Sequence, residues 1–260
     1  MFRRFLSVYL FLACSAVVVP LIAQEAAASD GVRTQESEYE TCLTLTRREP
    51  QKAFESALAW RDSGGGFPAR HCVALALVAM KKYNHAAMTL EELAEDMQSS
   101  GSELLVPVLM QAANVWLLGE NYGRAEAMAT AGLTIDPENI DLLIDRSRIY
   151  AKVGEYQKAF DDLDIALKLN PARSDALTFR AAAWRHLGDN ARALEDVELA
   201  LSLNPDLPDA LIERGILYQT AGKPDLARKD WLQVLELATN TPAGDEARRH
   251  LEALDVNKDK

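Results

Sequence analysis

The sequence predicts an all-α protein, an α-solenoid of stacked antiparallel helical hairpins, on three observations. Columns of similar residues recur every 34 positions, the spacing inside each copy is helical, and the composition lacks the turn residues and β-branched runs of a sheet protein. Of the 260 residues 48% are hydrophobic and 26% charged, ordinary globular usage that argues against a disordered, collagen-like or polytopic membrane chain. The 28 basic residues stand against 39 acidic ones, and a net charge of -11 is the wrong sign for gripping phosphate backbones, so nucleic acid is not an expected partner.

Residues 1–28 read as a secretion signal. Arg3 and Arg4 give the positive start, an apolar stretch runs from Phe5 to Ala23, and Ala26, Ala27 and Ala28 offer a small-residue cleavage site. Three rival readings exist: an uncleaved inner-membrane anchor, lipid modification at Cys14, and twin-arginine export. Pro20 and the alanines favour cleavage over the anchor. The apolar run past Cys14 and the missing spacer before Phe5 count against the other two. Without residues 1–28 the chain keeps 26 basic and 38 acidic residues, and no stable membrane anchor is expected. Export places Cys42 and Cys72, the two remaining thiols, in an oxidising compartment, and a disulfide between them is the leading reading.

Residues 29–102 are expected to form two degenerate hairpins. Ala53, Ala57 and Trp60 mark one second helix and Ala86, Leu90 and Leu93 the other, with breaks at Gly64 to Gly66 and at Ser99 to Ser102. Residues 103–139 form a divergent copy keeping Trp116, Gly119, Tyr122, Ala125, Leu133 and Pro137. Gly119 lies six positions before Ala125, where the other copies have five, which predicts one extra residue in that turn. The regular copies are 140–173, 174–207 and 208–241. Their columns include Leu143, Leu177 and Leu211; Ser147, Ala181 and Gly215; Tyr150, Trp184 and Tyr218; and Gly154, Gly188 and Gly222. Steps of four and three, as in Leu143, Ser147 and Tyr150 or Ala159, Leu163 and Ala166, give two amphipathic helices per copy. Glycine ends the first helix and proline closes the second. Residues 242–260 are expected to form a polar-faced capping helix and a tail.

The stretch from Ile140 to Pro171, with Gly154 to Ala159 reading Gly-Glu-Tyr-Gln-Lys-Ala and Ala166 to Pro171 reading Ala-Leu-Lys-Leu-Asn-Pro, resembles the tetratricopeptide repeat family. The resemblance covers residues 140–239 closely and 104–139 less so. It implies a right-handed superhelix whose inner face, lined by the first helix of each copy, receives an extended peptide or a partner helix. From the helix phase, Asn114, Leu117, Ile144, Arg148, Thr178, Arg185, Ile212, Ile216 and Gln219 should point into that groove. The Lys and Asn clamp of the family's chaperone-tail receptors is absent, so that activity is not carried over.

Arg146, Arg180 and Arg214 recur every 34 residues on the core side, and Asp162, Asp196 and Asp230 each follow 16 residues later. A bare buried arginine is costly, so three ion pairs are expected: Arg146 with Asp162, Arg180 with Asp196, and Arg214 with Asp230. In the divergent copy these places hold Gln111 or Ala112 and Met128, so both members are missing together. An anion-binding row of arginines is the alternative reading.

Phosphate loops, dinucleotide fingerprints, nucleophile elbows and His-Glu-x-x-His pairs are all absent from the sequence, and neither an enzyme nor a cofactor is expected. His71, Cys72 and Cys42 as metal ligands lack a fourth, so no metal is expected. The sequence thus points to a periplasmic adaptor binding a protein or peptide partner. The alternatives are an accessory subunit of an envelope enzyme or assembly complex, and a self-associating module.

Overall fold

The computed structural model describes residues 21–258, and the expected export features at Arg3, Arg4 and Cys14 lie outside them. Among the described residues there are thirteen helices and no strand. They pair in chain order as α1 (Leu21–Arg48) with α2 (Pro50–Asp62), α3 (Gly66–Ala79) with α4 (Tyr83–Ser100), and α5 (Leu105–Leu118) with α6 (Tyr122–Ile135). The series continues with α7 (Ile140–Lys152) and α8 (Tyr156–Leu169), α9 (Ser174–His186) and α10 (Asn190–Leu203), α11 (Pro208–Thr220) and α12 (Pro224–Ala238), and ends on α13 (Pro242–Lys258). No described helix is long and apolar enough to cross a membrane.

One turn is reused inside the hairpins. The backbone N–H two residues past each first helix's cap reaches back to the aromatic or leucine column: Lys82 to Leu77, Asn121 to Trp116, Glu155 to Tyr150, Asp189 to Trp184 and Lys223 to Tyr218, each at 2.9 Å. This closure needs one left-handed residue, which is Gly154, Gly188 or Gly222 in the regular copies. In the divergent copy it is Glu120, with φ 58°, and not Gly119. The expected extra residue is therefore not there: the α5–α6 turn spans the same three positions as the α7–α8 turn, because a glutamate takes the left-handed place one step past the glycine. This register puts Ala112, fully buried, and not Gln111, at the position the arginines hold in the regular copies.

The hairpins stack in order as a right-handed α-solenoid. First helices touch their successors, α5 on α7, α7 on α9, α9 on α11 and α11 on α13, while second helices pack against the following first helix. That asymmetry brings the first helices together on the inside of the curve. The core runs the length of the stack, from Cys72 and Leu93 through Trp116, Leu143 and Leu177 to Trp231 and Leu251. No hairpin buries its apolar stripe alone, so each depends on its neighbours.

Each arginine of the column forms a two-pronged contact with an aspartate of the next helix. Arg146 donates from Nε and Nη2 to Asp162 at 2.8 and 2.7 Å, Arg180 to Asp196 at 2.8 and 2.8 Å, and Arg214 to Asp230 at 2.8 and 2.7 Å. The three carboxylates are buried. The third guanidinium nitrogen turns to the preceding hairpin: Arg146 Nη1 donates to Thr130 at 3.2 Å and Arg180 Nη1 to Asp164 at 3.3 Å. Each of these two arginines thus ties three helices, and the hydrogen bonds from the paired aspartates hold all three guanidinium groups above their ordinary pKa.

Candidate functional site

The inner face is built from repeating positions on the first helices. One column runs Pro107, Asp141, Asp175, Asp209; the next runs Met110, Ile144, Thr178, Ile212; a third runs Gln111, Asp145, Phe179, Glu213. The steps of 34 follow from the uniform turn. Between α5, α7 and α9 these columns line a depression of about 390 Å³, whose walls include Met110, Asn114, Ile144, Arg148 and Phe179.

Its polar groups are cross-wired. Asn114 Nδ2 donates to Asp145 at 2.5 Å, Arg148 Nη1 donates to Asp145 at 3.0 Å and to Asn114 at 3.4 Å, and the Arg148 guanidinium lies 5.8 Å over the Phe179 ring. Burial pushes the Asp145 carboxyl up, against the lowering effect of Asn114 and Arg148. Arg173 spans two repeats, reaching Asp141 at 2.8 Å and Asp175 at 2.9 and 2.7 Å, and this contact holds the Asp175 carboxyl below its ordinary range. At Asp209 the direction reverses: desolvation, then the nearby Glu246, push its carboxyl up. Along this face Asp141, Asp145, Asp175, Asp209 and Glu213 outnumber Arg148, Arg173 and Arg185, so its field is acidic.

The expected groove residues divide. Asn114, Leu117, Arg148, Arg185, Ile216 and Gln219 retain partial exposure. Ile144 is 4% exposed and contributes to the floor of the depression, whereas Thr178 and Ile212, 3% and 5% exposed, lie within the stack and present almost no surface. The reason is α7–α9 and α9–α11 packing, which covers that column. Arg185 is not a free cation: its Nε and Nη2 donate to the buried Glu213 at 2.5 and 3.2 Å. Sequence reasoning missed Glu213 and the row Asp141, Asp175, Asp209. The same period that picked out the arginines would have found the latter.

Cys42 on α1 and Cys72 on α3 have their sulfurs within bonding reach and their Cα atoms 6.2 Å apart, a span a disulfide bridges. The neighbouring histidine is engaged elsewhere. His71 meets the Tyr39 hydroxyl through Nδ1 and Gln111 through Nε2, both at 2.5 Å, while the cysteines face one another. Among the described residues no group of three or more His, Cys, Asp or Glu side chains is placed to hold a metal.

No family model and no curated protein matches the chain. Solved structures do. A thermophilic TPR protein, TTC0263 of Thermus thermophilus, superposes with a TM-score of 0.59 at 19% identity, covering 72% of this chain and 98% of its own. MamA of Desulfovibrio magneticus RS-1, from residue 41 onward, gives 0.56 at 16% identity over 69% of this chain and 98% of its own. YrrB, a TPR protein described as having an unusual peptide-binding site, gives 0.50 at 19% identity over 76% and 98%. The class is that of helical-hairpin solenoids. Within it, this chain has the tetratricopeptide repeat fold.

Proposed function

We propose that the protein is a non-catalytic scaffold of the bacterial periplasm that holds a peptide or helix of a partner protein along the concave face of its first helices. The supporting observation is the lining of that face, where a depression floored by Ile144 and Phe179 lies among carboxylates in excess of guanidinium groups. Apolar floor and acidic walls suit a segment with basic side chains and aliphatic stems. The hairpins use up the described chain and leave no separate catalytic body. The signal-like residues 1–28 and the adjacent Cys42 and Cys72 support export, with the two thiols oxidised to a bridge. The arginine–aspartate pairs are read as register devices of the stack, since every guanidinium in the column already has a carboxylate.

Crosslinking in the native envelope followed by pulldown tests the assignment, with Arg148→Glu and Ile216→Glu as inner-face variants. Loss of the recovered partner in both is expected; the same partner at the same yield overturns it. Light scattering on the purified chain separates this reading from self-association, which a strict monomer rejects.

A further inference from the structure

At the N-terminal end the repeat spacing breaks. The left-handed turn residues Lys81 and Glu120 are 39 positions apart, where Glu120, Gly154, Gly188 and Gly222 are 34 apart. The excess is four residues in α4, which has 18 where α6, α8 and α10 have 14, and one in α5, which has 14 where α7 has 13. At this end of the stack a cavity of about 690 Å³ lies between α1, α3 and α5. Its walls are apolar, with Phe67, Pro68, Met97, Leu104, Pro107 and Val108 prominent among them, and Glu36 is the only carboxylate among the described residues that line it.

The polar groups of the cavity are largely satisfied by one another. With the His71 proton on Nε2, that N–H donates to Gln111 Oε1 and Nδ1 accepts from the Tyr39 hydroxyl, each at 2.5 Å. Burial lowers the ring's pKa, against the hydrogen bond to Gln111. What remains is an apolar hollow with the Gln111 amide NH2 able to donate to a carbonyl. A cavity of this size and lining selects bulky uncharged groups.

Gln111 lines this cavity, while Met110 and Asn114 on the same helix line the acidic depression. The two are therefore consecutive stations on one face. Resting on the peptide-groove reading above, we propose that the cavity is an anchor site for a bulky apolar side-chain pair of the partner segment, whose basic residues then lie over Asp141, Asp145 and Asp175. First helices stand roughly 10 Å apart, and the cavity is centred on α3 and the depression on α7. Two such steps are about six extended residues, so anchor and basic cluster should be separated by about that many positions.

The test uses the purified chain and two fluorescein-labelled peptides. One carries two tryptophans, a six-residue Gly-Ser spacer and three lysines; the other has serines in place of the tryptophans. Anisotropy should show the tryptophan peptide binding at least tenfold tighter. Leu104→Glu, at a position 61% exposed, should remove that advantage without changing the thermal midpoint, and Pro107→Glu should repeat the effect. The neutral dye Nile red should occupy the cavity and be displaced by the tryptophan peptide. Equal affinity of the two peptides overturns the anchor site and leaves the acidic groove standing; failure of both to bind overturns both readings. A dye that binds but is not displaced shows a site for free apolar molecules, and overturns the peptide anchor.

Discussion

Gly215 on α11 exists to make room for Trp231 on α12: a Cβ at Gly215 would lie 2.3 Å from the indole Nε1, and the indole is fully buried. The indole N–H donates to the Ile212 carbonyl at 3.3 Å, so the ring cannot slide away without stranding a donor. One repeat earlier the same two columns hold Ala181 and Val197, both fully buried, so the smallest residue of one column faces the largest of the other.

This relationship makes a paired prediction. Gly215→Ala gains helix propensity of about 1 kcal/mol but overpacks a rigid ring at a cost of about 1–3 kcal/mol. Net destabilisation is expected. Trp231→Val alone should cost on the order of 3–5 kcal/mol through the cavity it leaves. Together they recreate the Ala181 and Val197 arrangement, and the double variant should be less destabilised than the sum by on the order of 1–2 kcal/mol. Urea unfolding of the four proteins measures the coupling; strict additivity would show that the two residues do not share a constraint.

The Arg180 and Asp196 pair offers a second contrast. Asp196 is buried and takes two hydrogen bonds from a guanidinium that also reaches Asp164. Asp196→Ala leaves the half-buried cation with the single contact to Asp164 and should cost on the order of 3 kcal/mol, whereas Arg180→Met with Asp196→Leu should be within about 1 kcal/mol of the parent. If the double variant is as unstable as the single one, the pair contributes more to folding than register.

The parts legible in the sequence are those where tertiary packing repeats. Tyr150, Trp184 and Tyr218, or Gly154, Gly188 and Gly222, keep their type because each meets the same surroundings 34 residues on. Glu120 breaks the pattern by chemistry, since a glutamate in the left-handed conformation carries no signal that separates it from an ordinary helix residue, and Gly119 beside it attracts the assignment. The N-terminal cavity is illegible for a different reason. It lies where α4 outruns α6, α8 and α10 by four residues, and periodicity cannot describe the place where the period fails. Arg185 points to the groove by its helix phase, which carries no information about the Glu213 that neutralises it from the next repeat.

His71 should make the N-terminal end acid-sensitive. Burial depresses its pKa below the ordinary 6.5, and the hydrogen bond to Gln111 opposes this less strongly. Tyr39 and Gln111 face its two nitrogens, and Glu36 is the carboxylate in the cavity wall. The unfolded chain takes up the proton near pH 6.5 and the folded chain only at lower pH, so below about 6.5 the unfolded state binds more protons and stability falls as pH drops. Hydrogen exchange of α3 amides between about pH 7.5 and 5.5 should show protection decreasing on acidification, and His71→Gln should flatten that dependence. An equal slope in the variant assigns the effect to other groups.

The Cys42 and Cys72 pair bears on the same end of the stack. As the first helix of the solenoid, α1 packs on α2 and α3 and has no preceding hairpin among the described residues to lean on, so a covalent tie substitutes for the missing neighbour. A bridge closing a loop of 30 residues limits the unfolded chain by roughly 3 kcal/mol. In protein exported and kept unreduced, mass spectrometry after alkylation should find neither thiol modified. Reduction, or Cys42→Ser with Cys72→Ser, should lower the stability of α1 to α3 by about that amount and leave α7 to α12 unchanged, because distant units of a solenoid are coupled only through their neighbours. Two freely alkylated thiols in the exported protein, or equal loss of protection along the whole stack, would contradict this account of how the first helix is held.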